Sequence, residues 1–480
     1  MSILFLILKI IGILILIPIV LLLILLIFPI CYQIEGDFDG KSPKAQVKVS
    51  WAVIFLRAKA FYEEELNFGI RIFGIPIYDS RKEHWSVFGE HKEKDKKKHK
   101  KRSDSKKKQK NKKNNKKRVE KKKSTYPSED EDVFNLIKGL IKRQFFYISI
   151  DPYANSFNRD PNGHGHTQDE GERTPYTWER KFEIDSLCYP IWLIYKLYKV
   201  TGRKEILDSE FVKTCKIIID VFKKEQKHHE LSDYYHYREG ERDGFNIPNH
   251  GHGGDIKYTG MIWSGYRPSD DACKYGYFIP GNMFAVVALK RATELLKVIG
   301  EDDLAKVASD LAIEVDNGIK QYGIINHEKY GEIYAYEVDG LGNYLLMDDA
   351  NVPSLLSIPY FEYEDKNSAI YKNTRKYCLS FDNPYYFEGK VLKGIGSPHT
   401  PKGYVWHMGI VLEALTSGNN EDVIRIIKMV MNSDNDTYYT HEGINKDDQS
   451  EFTRSWFAWS NSLFSYLILK SKNIINGGIE

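Results

Sequence analysis

The sequence predicts a mainly α protein, a toroid of paired helices standing behind a membrane anchor and a small β segment. Three observations carry this. From about residue 130 onward apolar residues recur at three- and four-residue spacing, the mark of helices with one buried face. Long polar loops rich in Gly, Pro, Asp and aromatic residues separate these segments. The first thirty residues are almost free of charge. Helix pairs joined by long loops pack into a ring whose helix ends and loops line a central depression.

The anchor comes first. Ile10 to Ile30 is an uncharged run of 21 residues, preceded by one charge at Lys9. That length crosses a hydrocarbon core of about 30 Å. Phe28-Pro29-Ile30-Cys31 offers no small-x-small cleavage site, so residues 1–31 read as an uncleaved single-pass anchor, with the lipid bilayer as a partner. Residues 32–90 read as a small β-rich segment: Ala45–Trp51 alternates apolar and polar, and Phe68–Ile77 is a second candidate. With the lysine tract that follows, this first quarter resembles a family of small bacterial membrane proteins of unknown function, related to a sporulation-associated protein.

Residues 91–130 form a low-complexity linker. Between Lys92 and Lys123 there are 20 Lys/Arg against 4 Asp/Glu, a net of +16. The whole chain carries only +3, so the rest is acidic. Self-repulsion and the lack of apolar residues predict disorder. Contact with anionic lipid, at about 1 kcal/mol per basic residue near the surface, and a plain solubilising spacer are both open readings. No aromatic residue interleaves the lysines, which argues against nucleic acid.

The helical domain spans 131–480. Its predicted helices are 131–147, 183–201, 207–225, 282–299, 301–320, 363–379, 403–416, 420–432 and 452–471. In 301–320 the stripe is Leu304, Val307, Ala308, Leu311, Val315 and Ile319; in 282–299 it is Ala285, Leu289, Ala292, Leu296 and Ile299. Five widely spaced cysteines without a C-x-x-C make neither a disulfide framework nor a zinc site. That favours a reducing compartment, and with the distant basic block it predicts a cytoplasmic hydrolase-like domain. The 32 Tyr and 8 Trp suit a core and also sugar platforms, because a pyranose has an apolar face that packs on a ring.

Two loops could carry chemistry. Tyr258–Cys273 brings Trp263, Tyr266, Arg267 and the adjacent carboxylates Asp270 and Asp271 together. Tyr438–Asn461 brings Glu442 and Glu451 together with Arg454 and Trp456. The plain alternative is that Ser269 or Asp270, and likewise Glu442, cap the helices predicted to follow. Paired carboxylates among rings are what glycoside hydrolysis needs: one protonated to release the leaving oxygen, one ionised. The Gly-flanked histidines His164, His166, His250 and His252 lack carboxylate or cysteine ligands at zinc-like spacing, so no metal is expected.

Several segments resemble, in order, the signatures of glycoside hydrolase family 125. They are Asp151–Asn158, Asn162–His166, Trp178–Leu187, Ser264–Ala272, Phe278–Ala285, Met347–Leu356, Gly396–Thr400 and Tyr404–Met408. The resemblance covers about residues 133–475. It implies an (α/α)6 barrel and an inverting, metal-independent exo-α-1,6-mannosidase that takes α-mannoside oligosaccharides and no cofactor. It also implies a general acid within Arg267–Asp271, with Asp270 favoured over Asp271, and Glu442 as the base that activates water, with Glu451 as its alternate. Trp263, Tyr266, Trp406 and Trp456 become candidate sugar platforms, though each fits a core equally. Arg267, His399, His407 and Arg454 become candidates for hydroxyl binding or for holding the carboxylates.

The sequence departs from that family at one point. Family members open with a helical hairpin and a Trp-Leu-Arg-Asp segment of the terminal-sugar subsite, and no such segment stands here. The expectation is therefore double: a mannosidase impaired by that absence, or an inactive or truncated fusion serving as a membrane-tethered carbohydrate-binding or structural protein.

Overall fold

The computed structural model describes residues 30–38, 43–51, 56–62, 66–72, 75–79, 127–242 and 244–477. The chain divides into two compact units, residues 1–119 and 120–480.

In the first unit five strands form an antiparallel meander in sequence order: β1 (Ile30–Phe38), β2 (Pro43–Trp51), β3 (Leu56–Tyr62), β4 (Leu66–Ile72) and β5 (Ile75–Asp79). The alternating segment at Ala45–Trp51 lies in β2, as its period of two requires. The second candidate is divided between β4 and β5. One boundary needs correction here. Ile30 and Cys31, taken as the end of the anchor, are strand. Among the described residues no helix is long and apolar enough to cross a membrane. The rest of the Ile10–Ile30 run and the Lys92–Lys123 tract lie outside the described residues.

The second unit is mainly helical. Its longer helices are α1 (Pro127–Ile150), α2 (Ile184–Thr201), α3 (Ser209–Glu225), α4 (Ile279–Val298), α5 (Asp302–Tyr322), α6 (Ala369–Cys378), α7 (His407–Leu415), α8 (Asn420–Met431) and α9 (Ala458–Lys470). They fall into two kinds. α4 is buried without a break from Ile279 to Leu289, and α7 from His407 to Leu412, so both are inner helices. α3, α5 and α8 each bury a single stripe, such as Ala305, Ala308, Leu311, Ala312, Val315 and Ile319 in α5, so they are outer helices. Inner pack on outer in pairs: α4 with α5 and α7 with α8, while α2 packs on α4 and α9 on α7. In α5 the predicted stripe holds except that Leu304 and Val307 are only half-buried, because the buried face turns slightly toward Ala305 and Ala312.

Three predicted helices start too early; that expected as 363–379 begins at Ala369, behind its N-cap Ser368, and the other two run into strands. The segment expected as 452–471 begins in a strand, Asp448–Phe452, and the helix waits until Ala458. The segment expected as 403–416 begins with the strand Tyr404–Trp406. In both places β pairing wins: Tyr404–Trp406 pairs with Gly443–Asn445, which pairs with Asp448–Phe452. This small sheet sits at the N-terminal end of α7 and holds the loops that concern function.

Candidate active site

The Asp270 loop is a tight hairpin. Tyr266 bridges Ala272, the Arg267 N–H donates to the Asp271 carbonyl at 2.9 Å, and the Asp270 N–H donates to the Arg267 carbonyl at 3.0 Å. Closing so small a turn puts Asp270 at φ 68°, a left-handed conformation that Asp tolerates better than most residues. Strained backbone of this kind gathers at functional sites. No helix follows the turn: α4 begins only at Ile279, behind Phe278. The capping alternative for Ser269 and Asp270 therefore fails. It fails for Glu442 too, which enters the strand Gly443–Asn445.

The side chain of Asp270 is 42% exposed. Asn155 Nδ2 donates to its Oδ1 at 3.2 Å, and Lys181 Nζ stands 3.9 Å from the same oxygen. Its neighbour Asp271 is the opposite, buried, with Oδ1 3.0 Å from His399 Nδ1. The hydrogen bond to Asp271 raises the pKa of His399, and the fields of Asp270 and Glu442 raise it further. His399, bonded to Asp271, also stands edge-on to Trp406, which pairs with Gly443, and this brings the two predicted loops to one place.

Glu442 is buried, with only 5% of its surface accessible. Arg454 Nε lies 3.0 Å from Oε1 and the Thr453 hydroxyl donates to Oε2 at 2.9 Å. Strand pairing explains the arrangement. The Thr453 N–H donates to the Gly443 carbonyl at 2.9 Å, so the strand after Glu442 and the residues after Phe452 run side by side. His407, at the start of α7, fixes the peptide from behind: its Nδ1 accepts from the His441 N–H at 3.1 Å, and its Nε2 donates to Ser433 Oγ at 2.9 Å. Complete burial lowers the His407 pKa to about 3, which matches a neutral ring that accepts at Nδ1.

Other predicted residues go elsewhere. Trp263 is a core ring, 1% exposed and stacked on His228 at 3.6 Å, so neither face is open to a sugar. Tyr266 is fully buried, its hydroxyl on His236 Nδ1 at 2.6 Å. Arg267 is buried in an ion pair with Glu337 at 2.6 Å and supports the loop from below. Trp406 is buried too, donating to Thr400 Oγ1 at 2.9 Å, with its ring edge-on to His399. His407 serves the Glu442 peptide, as described. Trp456 is exposed, beside Arg454 in sequence and open to a ligand. Glu451 is not brought to Glu442: it is on the surface, where Asn445 Nδ2 donates to it at 2.6 Å.

The histidines of the Gly-flanked loops have local partners. His250 Nε2 lies 3.0 Å from Glu170 and its ring stacks on Tyr237, while His166 stands 3.7 Å from Glu179. Among the described residues no group of three or more His, Cys, Asp or Glu could hold a metal ion. Cys188, Cys215, Cys273 and Cys378 are all buried and unpaired.

The sequence reading missed Asn155, Lys181 and Thr453 as site residues, and it missed the buried acids Glu183 and Asp185. Each of the first two stands in a segment singled out as a signature, but nothing in local spacing says that residues 115 and 89 positions before Asp270 will touch it. Asp349 is a further buried acid near Asp271; burial, then the field of Asp271, raises its pKa to about 6.

Asp349, buried, and His399, half-buried, set a pH dependence. The folded pKa values of His399 and Asp349 are both raised. Each therefore adds stability that is complete below its unfolded pKa, about 6.5 for His and about 3.9 for Asp, and that is lost as pH rises through the folded value. We expect Tm to fall between pH 5 and pH 8. His399→Gln should flatten the upper part of that fall. A Tm that climbs across the window, or an unchanged slope in the variant, would contradict this account.

Comparison with known proteins identifies the family of the second unit. A Streptococcus pneumoniae metal-independent α-mannosidase, solved as a non-productive substrate complex with α-1,6-mannobiose, is 40% identical, with a TM-score of 0.70, over 71% of this chain and 81% of that one. The meiotically up-regulated gene 157 protein of Schizosaccharomyces pombe is 35% identical over 359 residues, 71% of this chain and 70% of its own length. The family match begins at residue 113, so the first quarter's resemblance to small bacterial membrane proteins draws no support from it. The profile of the metal-independent α-mannosidases matches residues 113–469, and the chain belongs to that family, GH125, with the glycoside hydrolase ancestry that membership carries.

Proposed function

We propose that the second unit is an inverting exo-α-1,6-mannosidase that works without a metal. Asp270 is its general acid and Glu442 its general base. The observation that carries this reading is the convergence on His399 of an accessible carboxylate on a strained turn and a buried carboxylate held by Arg454 and Thr453. Asp270 can reach a leaving oxygen from the open side. Glu442, with its plane fixed by two donors, can take a proton from water. Inversion needs the two carboxyls roughly 6.5–9.5 Å apart, so that water fits between sugar and base. The streptococcal relative's bound α-1,6-mannobiose supports the substrate class.

The test is release of mannose from α-1,6-mannobiose, with the anomer followed by NMR and a chelator present throughout. The β-anomer should appear first, at a rate the chelator leaves unchanged. Release of the α-anomer, or a rate restored only by a divalent ion, would sink the reading.

The remaining organisation is proposed as read from the sequence with two boundaries moved, since the first strand begins at Ile30 and α1 at Pro127: anchor at 1–29, β-rich segment at 30–90, lysine linker at 91–126, and a cytoplasmic hydrolase domain. The uncharged Ile10–Ile30 run supports the anchor. After cell fractionation the protein should resist a high-salt wash and leave the membrane with detergent. Recovery in the supernatant without detergent would remove the anchor. One observation favours the second reading, an impaired chain: near Asp270 lie two buried acids, Glu183 and Asp185, and no ion pair among the described residues reaches either.

A further inference from the structure

The five-stranded sheet of the first unit divides cleanly into an apolar and a charged face. On β2 the residues alternate, with Ala45, Val47, Val49 and Trp51 on one face. Lys44, Gln46, Lys48 and Ser50 fall on the other. The antiparallel register carries this division across the sheet, because residues directly opposite one another share a face. Opposite the apolar residues of β2 stand Ile30, Tyr32, Ile34 and Gly36 of β1. On its other side stand Leu56, Ala58, Ala60 and Tyr62 of β3. β4 continues the row with Leu66, Phe68, Ile70 and Ile72, and β5 places Tyr78 opposite Ile70. Among the paired residues no charged or amide residue falls on this face. The opposite face holds Glu35, Asp37, Lys48, Arg57, Lys59 and Arg71.

Among the described residues of the first unit there is no second layer, since its elements are these five strands. A sheet with one apolar face is stable only when another layer buries that face. We propose that the layer is the same face of a second copy of this chain, the two sheets stacking as a sandwich with their charged faces in water. Size supports this occupant. Five strands about 4.8 Å apart, about seven residues long at about 3.3 Å per residue, present roughly 550 Å² on one face. Two such faces removed from water come to roughly 1,100 Å², which clears the ~1,000 Å² that a specific interface needs. A two-fold pairing also sets like against like, so an uncharged face is its own complement. A lipid surface fits less well. β1 and β5 are open edges among the described strands, and open sheet edges are not tolerated in hydrocarbon. In a sandwich both edges stay in water.

The experiment uses the full chain, extracted with detergent if it sediments with membranes. Ala58 and Lys59 are neighbours on β3, the middle strand, and fall on opposite faces. Each is changed to Cys in a Cys31→Ser background, because Cys31 lies in β1. A short bismaleimide should link Ala58→Cys into a species of twice the monomer mass and leave Lys59→Cys monomeric. By light scattering at micromolar concentration the parent chain should be a dimer. Val49→Asp should be a monomer, since its charge would be left unpaired between the sheets, whereas Gln46→Asp on the other face should stay dimeric. Should Val49→Asp fail to fold, the cross-linking pair still decides. Equal linking at the two positions, or a parent chain that scatters as a monomer, would overturn the proposal. So would a monomeric chain whose Ala58→Cys thiol is closed to a water-soluble maleimide, which would make another segment of the same chain the cover. Labelling of that thiol only by a lipid-soluble probe would make the bilayer the cover and overturn it equally. Every readout is association through the first unit, so failure here leaves the mannosidase reading standing.

Discussion

Replacing residues 1–126 with a helical hairpin that carries the family's Trp-Leu-Arg-Asp segment should raise mannose release from α-1,6-mannobiose by about two orders of magnitude, because misplacement of a substrate by about 1 Å costs that much. The join falls just before α1, which begins at Pro127. We expect such a hairpin to pack where apolar surface is open. A cleft of about 830 Å³ lies between α1 and α2, with Leu140, Tyr147, Ile148, Leu187, Trp192 and Leu193 among its walls. On α1 Leu140 and Phe146 are about half exposed, and on α9 Leu469 is 75% exposed. Tyr360 links the two sides, with its ring against Trp192 of α2 and against Tyr466 of α9. Covering this apolar surface should also raise Tm, at about 25 cal/mol per Å² removed from water. A hairpin that raises Tm but leaves the rate unchanged would show that the subsite does not depend on it. Full activity in the unaltered chain would show that residues already present complete the subsite.

The fold was legible in the sequence where one period dominated. The stripe of α5 and the ends of α3 and α8 follow directly from three- and four-residue spacing, because an outer helix must bury one face and wet the other. α4 was harder to read. Its Ala285–Leu289–Ala292–Leu296 stripe is real, but the helix is buried on nearly every side, and a stripe says little about an inner helix. The early starts given to α7 and α9 have one cause: Tyr404–Trp406 and Asp448–Phe452 are short strands whose pairing belongs to one small sheet assembled across the fold. No local pattern reveals such a pairing.

The site was legible unevenly for a related reason. Both loops were visible as carboxylates among rings; the preference for Asp270 and Glu442 within them came from the family resemblance alone. The rings could not be sorted between platform and core. Trp263, Tyr266 and Trp406 are buried as supports beneath the loops, whereas exposed Trp456 is the one of the four left open. An aromatic residue close to a catalytic carboxylate in sequence packs under the turn as readily as over the substrate, and only burial distinguishes the two. Lys181 and Asn155 reach Asp270 across the fold, so sequence distance hid them entirely.

Glu442→Gln and Asp270→Asn should each lower mannose release from α-1,6-mannobiose by two to four orders of magnitude in the hairpin-restored chain, the range that positioned acid–base groups supply. Each change nearly conserves volume and removes the ionisable proton. The amide introduced by Glu442→Gln would keep an oxygen for the Thr453 hydroxyl and lose the charge opposite Arg454, so a small fall in Tm is expected beside the large fall in rate. The amide introduced by Asp270→Asn can still accept from Asn155 Nδ2 on the same turn, since Asn tolerates φ 68° as well as Asp does. The Tm of that variant should stay close to the parent's. The two variants should also differ by substrate. An aryl mannoside with a good leaving group needs little proton donation, so it should recover much of the rate in Asp270→Asn and none in Glu442→Gln, where water activation is missing for every substrate. Asp271→Asn provides the internal control for the acid. The Asp271 Oδ1 is bound to His399 and the side chain is buried, so its loss should cost stability and the raised His399 pKa, with no rescue by a better leaving group. Aryl-substrate rescue in Asp271→Asn and not in Asp270→Asn would transfer the general acid to Asp271.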